Sequence, residues 1–217
     1  MGTPTLTSVD GIHVLRLGDD ENRFSPDWLT AVEAALDEIA ATPAPLVTVG
    51  EGKQYSSGLD LDWVGQNPDQ FVPYAARVER VFARVLTLGV PTVAAINGHA
   101  FAAGAMLALS HDWRVMRADR GFFCLPEVDI HIPFTTGMAA LIQAKLSPRA
   151  ANDAMTTGRR YGGEEAAGAG IVDATVSEDE VLSAALAIVA PLAGKDPATL
   201  GAIKATMYAD VDAKLGS

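Results

Sequence analysis

The chain has 217 residues, of which 49% are apolar and 20% are charged. A chain of this length can bury a core as one domain, and it is too apolar to be disordered. Its one cysteine, Cys124, excludes both a disulfide framework and a cysteine-based zinc site. No apolar run reaches the ~18–20 residues that span a bilayer, and the first ten residues lack the order of a signal peptide. We therefore expect a globular, cytoplasmic protein with no membrane partner.

The net charge is −11, from 16 Lys and Arg against 27 Asp and Glu, which argues against a nucleic-acid partner. The charge is uneven, because segment 77–160 holds ten basic and six acidic residues, whereas the two flanks hold six and 21. The middle is therefore +4 and the remainder −15. This pattern indicates either ordinary surface solvation or local capture of an anionic ligand by the central segment.

The chain opens with a predicted hairpin, in which 5–7 and 12–15 flank a Val9-Asp10-Gly11 turn. Ser25-Pro26 predicts a helix start with an apolar face behind it, and Pro43 and Pro45 end that helix. The other predicted elements are strands at 46–49, 92–96, 113–116, 121–125 and 171–174, and helices at 69–88, 100–108, 134–154 (restarting at 147–148), 178–193 and 196–214. Strands that alternate with helices predict an α/β fold with largely parallel pairing.

Two segments bring small residues to a helix start, where free backbone N–H groups point outward. They are 53–61 (Lys-Gln-Tyr-Ser-Ser-Gly-Leu-Asp-Leu) and 96–106 (Ile-Asn-Gly-His-Ala-Phe-Ala-Ala-Gly-Ala-Met). The two glycines of the second segment lie six apart, so it is not the Gly-x-Gly-x-x-Gly dinucleotide fingerprint. Both segments also fit an ordinary loop-to-helix junction or close helix packing.

A third segment, 122–134, places Glu127 among bulky apolar residues. Burial there would raise the pKa of this carboxyl and make it a usable base near neutral pH, whereas a loop carboxylate facing water would keep its ordinary pKa. If the segment is an extended strand, Glu127, Asp129 and His131 share one side. Asp129 or His131 would substitute for Glu127 as acid or base if the loop turned either side chain inward. We otherwise expect structural roles for both, and a core or interface position for His99.

In this order, the three segments resemble the enoyl-CoA hydratase/isomerase (crotonase) superfamily over residues 5–205. The most specific stretch, 91–145, contains Pro-Thr-Val-Ala-Ala-Ile-Asn-Gly-His-Ala, Ala-Leu-Ser-His-Asp and Asp-Arg-Gly-Phe-Phe-Cys-Leu-Pro-Glu-Val-Asp-Ile. Its Leu-Ser-His-Asp and Pro-Glu-Val-Asp-Ile pieces are most similar to plant-type monofunctional Δ3,Δ2-enoyl-CoA isomerases.

The resemblance implies an α/β crotonase-like (ClpP/crotonase) fold, in which repeated ββα units form two roughly perpendicular sheets surrounded by helices. It implies a core domain over residues 1–195 and a short C-terminal helical segment, 196–217, for oligomerisation. A homotrimer or a dimer of trimers is the expected assembly.

The resemblance also implies site residues, position by position. The backbone N–H groups of Leu59 and Ala103 match the family's oxyanion hole, and Glu127 matches the second of two hydratase glutamates. The first hydratase glutamate is replaced by Met106, which can neither hold nor deprotonate water. The family's glycine triplet reads Ala102-Ala103-Gly104, which keeps the backbone N–H groups and tightens the hole.

One carboxylate is what an isomerase needs. The resemblance implies that Glu127 removes a proton from C2 of a 3-enoyl-CoA and returns it at C4, while the two N–H groups hold the dienolate. The alternatives are an enoyl-CoA hydratase, another enolate-forming acyl-CoA enzyme such as a hydrolase, and a non-catalytic acyl-CoA-binding paralogue. No permanently bound cofactor and no metal are expected, since the coenzyme A thioester is the substrate.

The resemblance further implies contacts to the coenzyme A thioester. Arg23 and Phe24 match the region that approaches the adenine, and Lys53 lies near the phosphate path. Lys204 is a candidate contact to the nucleotide of a neighbouring subunit. The remaining substrate-binding positions are Ser57, Gly58, Asp60 and Met106.

Overall fold

The computed structural model describes residues 2–216. Within that range the strands are β1 (Thr5–Val9), β2 (Ile12–Arg16), β3 (Leu46–Val49), β4 (Gln54–Ser56), β5 (Thr92–Ile96), β6 (His99–Phe101), β7 (Trp113–Arg117), β8 (Phe123–Cys124) and β9 (Ala174–Val176). The α-helices are α1 (Pro26–Ala41), α2 (Leu61–Gln66), α3 (Phe71–Leu86), α4 (Ala103–Leu109), α5 (Glu127–Ile130), α6 (Thr136–Lys145), α7 (Pro148–Thr157), α8 (Gly163–Gly168), α9 (Val181–Val189), α10 (Pro197–Met207) and α11 (Ala209–Leu215).

A six-stranded sheet in the order β1-β2-β3-β5-β7-β9 forms the centre of the molecule. Only the β1–β2 hairpin is antiparallel, and the other neighbours are parallel. Strands β3 and β5 are buried at every residue, because helices cover both faces of a parallel sheet. One face packs against α9, and the opposite face joins the main core with α1, α3 and α4.

A second sheet contains three short parallel strands in the order β4-β6-β8. Each strand has three residues or fewer, and each lies within one of the three segments 53–61, 96–106 and 122–134. The carboxyl ends of parallel strands meet at one edge of a sheet, so these three segments converge there. The fold is therefore α/β with two sheets and surrounding helices, as predicted.

A buried hydrogen-bond chain ties the two sheets to α4. Tyr55 Oη lies 2.7 Å from Thr48 Oγ1, which lies 3.0 Å from His111 Nε2. His111 Nδ1 lies 2.8 Å from the carbonyl oxygen of Leu107, so Nδ1 carries the proton and Nε2 accepts from Thr48. Burial lowers the pKa of His111 to about 4, which keeps the ring neutral.

Several predicted boundaries are confirmed. The hairpin turns at Asp10-Gly11, and α1 begins at Pro26, with Ser25 Oγ accepting from the Trp28 N–H at 3.2 Å. Strands β3 and β5 match their predicted spans. The predicted strand at 171–174 is wrong in position, since β9 is Ala174–Val176, and the predicted strand at 121–125 contracts to Phe123–Cys124.

Residues 196–216 form α10 and α11 and pack onto the rest of the fold. Val211 and Leu215 of α11 are buried in the main core, so this segment shares the core of residues 2–195. Its role in oligomerisation stays a prediction.

Among residues 2–216 no single helix is long and apolar enough to cross a membrane. One pair of helical segments, Glu178–Leu192 and Pro197–Met207, passes the same test together by length and composition alone, with a bend of 109° between the two.

Candidate active site

The turn after β4 leaves one backbone N–H without an acceptor. Ser57 N–H donates to the carbonyl oxygen of Glu21 at 2.9 Å, and Gly58 N–H donates to Ser56 Oγ at 3.0 Å. The next N–H, that of Leu59, has no acceptor among residues 2–216. A donor left unpaired in a preorganised turn is available to a ligand oxygen.

Gly58 is required by the close approach of this turn to the start of α4. Its φ is +83°, and a Cβ at this position would lie 2.8 Å from the backbone nitrogen of Ala103. A side chain would therefore be strained twice, by conformation and by contact. The contact also shows that the turns after β4 and β6 meet at their backbones.

The turn after β6 presents the second N–H. Ala102 N–H donates to the carbonyl oxygen of Cys124 at 3.0 Å, while Ala103, the first residue of α4, has an N–H without an acceptor in the described chain. Ala102 has φ 50° and ψ −124°, a conformation that is strained for an L-residue. The strained Ala102 thus directly precedes the residue whose N–H is free.

Glu127 is the first residue of α5 and its side chain is buried, with 7% of its surface exposed. Its Oε2 has no hydrogen-bond partner among residues 2–216. Desolvation raises the pKa of this carboxyl from 4.5 to about 7. A buried carboxyl that titrates near neutral pH is suited to accept and return a proton.

The three turns surround one mainly apolar cavity of about 160 Å³. Its lining residues are Ser57, Leu59, Leu61, Phe101, Ala102, Ala103, Met106, Pro126, Glu127, Ile130, Ile132, Pro133 and Met138. Glu127 is the one ionisable side chain in this lining, and Met106 stands in the same wall without a titratable group. The cavity thus combines one proton carrier with two free N–H donors.

Comparison with known proteins shows the family of the chain. The model of the family described as "Enoyl-CoA hydratase/isomerase" matches residues 8–216. The chain belongs to the enoyl-CoA hydratase/isomerase family.

Three relatives illustrate the similarity. "Enoyl-CoA delta isomerase 2, peroxisomal" of Arabidopsis thaliana is 36% identical over 92% of this chain and 89% of its own length. A "Putative enoyl-CoA hydratase" of Thermus thermophilus is 31% identical over 91% and 81%. The crystal structure of human mitochondrial Δ3-Δ2-enoyl-CoA isomerase superposes with a TM-score of 0.89, at 25% identity, over 98% of this chain and 85% of that one.

The structure brings five of the predicted site residues to this cavity, namely Ser57, Leu59, Ala103, Met106 and Glu127. Gly58 is absent from this lining and packs closely against the backbone of Ala103. The common location follows from the parallel pairing of β4, β6 and β8, which the sequence analysis did not resolve as strands except for β8. Their chemical roles stay predictions.

Phe24 cannot contact a nucleotide through its side chain, which corrects that prediction. The ring is fully buried and stacks on Trp28 with centroids 4.4 Å apart. The backbone of Phe24 has a different use, because its N–H donates to the carbonyl oxygen of Gly58 at 2.8 Å. It therefore supports the turn that carries Leu59.

Arg23 lies among carboxylates. Its guanidinium is 2.5 Å from both Glu21 and Asp62, and 4.0 Å from Asp60. The wider cavity beside it, of about 470 Å³, is lined by Asp20, Glu21, Asp27 and Asp62, and this excess of negative charge is unfavourable for an anion. Asp60 is buried and caps α2 through Trp63 N–H at 3.1 Å, so its predicted place in the substrate site is replaced by a structural contact.

The two lysine predictions differ in outcome. Lys53 is exposed and lies outside the lining of the Glu127 cavity, and its contact to a phosphate stays a prediction. Lys204 is buried, and its Nζ donates to Asp112 at 2.6 Å and to the carbonyl oxygen of Val90 at 2.8 Å. The prediction that Lys204 contacts the nucleotide of a neighbouring subunit is therefore wrong.

The extended geometry expected around Glu127 is also wrong. Residues 127–130 form a helical turn, which buries Glu127 and leaves Asp129 and His131 exposed. His131 ends the turn with φ 60°. Neither side chain shares the side of Glu127 that faces the cavity, so neither replaces it as acid or base there.

Sequence reasoning missed the residue that fixes the first turn. Tyr74 Oη accepts from the Asp60 N–H at 2.9 Å and donates to the carbonyl oxygen of Phe24 at 2.9 Å. This pair of bonds clamps the end of the turn that carries Leu59 to α3. No local signal in the sequence marks it, since Tyr74 fits the apolar face of α3. The cavity-lining residues that follow Glu127 in the chain, including Ile132 and Met138, were also missed, because no local signal marks them.

Proposed function

We propose that the protein is an enoyl-CoA isomerase that moves a double bond from the 3- to the 2-position of an enoyl-CoA. The observation that carries the proposal is a single buried carboxyl, Glu127, in an apolar cavity where Met106 occupies the place of a second acid. The relatives named as Δ-isomerases support the same activity.

In the proposed mechanism, the N–H groups of Leu59 and Ala103 form an oxyanion hole for the thioester carbonyl oxygen. Both donors are held in place before charge develops, because the turns that carry them are fixed by neighbouring backbone bonds. Donors of this kind lower the barrier to enolate formation, and losing one costs roughly 10²–10³ in rate.

Glu127 acts as the proton carrier. The carboxylate takes a proton from C2, the C2 electron pair moves into a dienolate, and the protonated carboxyl returns the proton at C4. A pKa of about 7 makes both protonation states accessible near neutral pH. The apolar lining keeps water away from the dienolate.

The alternative is hydration of a 2-enoyl-CoA, the activity suggested by the name of the Thermus relative. Hydration needs a water molecule that is positioned and deprotonated, usually between two acids. Met106 offers no such contact, and Glu127 is the one carboxyl that lines the cavity. This observation favours isomerisation.

The deciding experiment compares the wild type with Glu127→Gln on a 3-enoyl-CoA and on a 2-enoyl-CoA. We expect conjugation of the 3-enoyl thioester without hydration, and its loss in Glu127→Gln. Asp129→Asn is the matched control, because this carboxyl lies two residues away and faces solvent. Full activity of Glu127→Gln, or hydration as the main reaction, would overturn the proposal; binding without turnover would favour the non-catalytic paralogue.

We also propose a homotrimer or a dimer of trimers. Exposed apolar side chains at Phe122, Ile203 and Met207 support self-association. Sedimentation should give three or six times the monomer mass of 22.7 kDa, and a monomer would contradict the proposal.

A cytoplasmic location is proposed from composition, and fractionation of the source cells tests it.

A further inference from the structure

The size of the cavity limits what fits beside Glu127. Its volume is about 160 Å³. A dry protein cavity of about 150 Å³ holds a molecule of six carbons, such as benzene. An acyl group of about six carbons, counted from the thioester carbonyl, therefore fills the space. Met106, Met138 and Ile132 are among the apolar side chains that line it.

A second cavity of about 430 Å³, which is shallow and largely open to solvent, adjoins the first. The two share three lining residues, Glu127, Ile132 and Pro133. Beyond them the second cavity is lined by Val128, His131, Phe134, Ala139 and Met155, which is a mainly apolar set. The segment 127–133, which carries the three shared residues, therefore lies at the boundary of the two spaces and is called the partition.

Ile132 is the aliphatic side chain in this partition that is half-buried, whereas Pro133 is exposed. The Ile132 N–H donates to the carbonyl oxygen of Glu127 at 3.1 Å, which closes the segment into a compact loop after α5. The same loop therefore holds the proton carrier and the partition. Truncating Ile132 to alanine removes three carbons from the wall and leaves this backbone bond in place.

We propose that Ile132 is a specificity-determining residue that closes the acyl pocket and restricts the enzyme to acyl chains of about six carbons. This inference rests on the proposed function for its substrate, an acyl-CoA thioester. A methylene that enters an apolar site strengthens binding about fourfold, whereas a methylene left outside adds little. Acyl chains longer than the pocket gain no further binding affinity unless truncation of Ile132 opens the partition into the adjoining cavity.

The first test is binding, which does not depend on turnover. Dissociation constants of hexanoyl-CoA and dodecanoyl-CoA are measured by titration calorimetry for the wild type, Ile132→Ala and Val128→Ala. The shared coenzyme A moiety cancels in the ratio of the two constants. Val128 lines the adjoining cavity and not the pocket, so its truncation is the matched control.

In the wild type and in Val128→Ala we expect dodecanoyl-CoA to bind no more tightly than hexanoyl-CoA. In Ile132→Ala we expect the ratio to shift at least tenfold in favour of the longer chain, roughly the worth of two buried methylenes. The inference is overturned if the wild type already gains affinity up to twelve carbons, or if Ile132→Ala leaves the ratio unchanged. Circular dichroism verifies that each variant is folded.

The second test is the ratio of kcat/KM for 3-hexenoyl-CoA and 3-dodecenoyl-CoA, which should shift in the same direction. Failure of the proposed function is distinguishable from failure of this inference. No turnover of either thioester, with the expected binding ratios, rejects the isomerase and retains the chain-length limit. Equal turnover of both thioesters by the wild type rejects the limit and retains the isomerase.

Discussion

Glu127 shows how one residue acquires a chemical property from its surroundings. A carboxyl at the first position of a helical turn usually pairs with a backbone N–H or faces water. Here the side chain is buried beside Met106 and Ile130, and its Oε2 is unpaired in the described structure. The apolar neighbours of Glu127 leave burial and a water-facing loop as alternatives in the sequence. The structure shows burial, on a backbone that is helical rather than extended.

The pH dependence of the reaction follows from this site. Glu127 must be ionised to accept the C2 proton, so kcat/KM should fall tenfold per pH unit below about pH 7 and level off above it. The measurement is a pH–rate profile on a 3-enoyl-CoA at fixed ionic strength. An acid limb with its midpoint near 4.5, the ordinary value for glutamate, would contradict the assigned burial.

The limits of prediction are clearest for the elements around the site. Strands β3 and β5 were predicted correctly because each is an apolar run buried on both faces. Strands β4 and β6 have three residues each and pair with each other across more than 40 positions, so no local pattern marks them. The sequence therefore predicted which segments carry the site, and the pairing that brings them together came only from the resemblance.

The contact between the turns after β4 and β6 gives a prediction for Gly58→Ala. Strain from φ +83° and the 2.8 Å approach to Ala103 N should cost about 1–3 kcal/mol of unfolding free energy. Displacement of the donors should lower kcat by roughly 10²-fold, the cost of one lost oxyanion donor. Urea denaturation and steady-state kinetics measure both.

Gly65→Ala is the control for that variant. Gly65 lies in α2, and nothing stands within 4 Å of a Cβ added there. Alanine at this helical position should be neutral or stabilising by up to about 1 kcal/mol. Similar losses in the two variants would show that the Gly58 effect is not specific to the approach of the turns.

Ala102→Gly should have the opposite effect on stability. Glycine adopts φ 50°, ψ −124° without the strain that alanine bears, which stabilises the folded state by about 1–3 kcal/mol. Glycine also makes the unfolded chain more flexible, which lowers the unfolding free energy by about 0.4–1 kcal/mol. We expect a net gain of about 1 kcal/mol in urea denaturation. A loss of stability would mean that the Ala102 methyl contributes more by packing than it costs in strain.

At the scale of the whole molecule, two buried groups give stability opposite dependences on pH. His111 is neutral in the folded protein, with its pKa lowered from 6.5 to about 4, so stability is lost as pH falls through that window. Glu127 has its pKa raised from 4.5 to about 7, so it remains protonated in the fold where the unfolded chain ionises, and stability is lost as pH rises through that window. The two trends overlap between about pH 4.5 and 6.5 and largely offset each other.

Removing the titration of Glu127 should expose this balance. Glutamine keeps the shape of the side chain but does not titrate. The unfolding free energy of Glu127→Gln minus that of the wild type therefore isolates the contribution of the glutamate, because the contributions of all other groups cancel. The difference in unfolding free energy should grow by about 3 kcal/mol in favour of Glu127→Gln between pH 4.5 and pH 8, because each unit of pKa shift is worth about 1.4 kcal/mol. Urea denaturation of both proteins across that range measures it. The variant should thus be more stable and inactive at pH 8, whereas a pH-independent difference would show that the folded and unfolded chains hold the Glu127 proton equally.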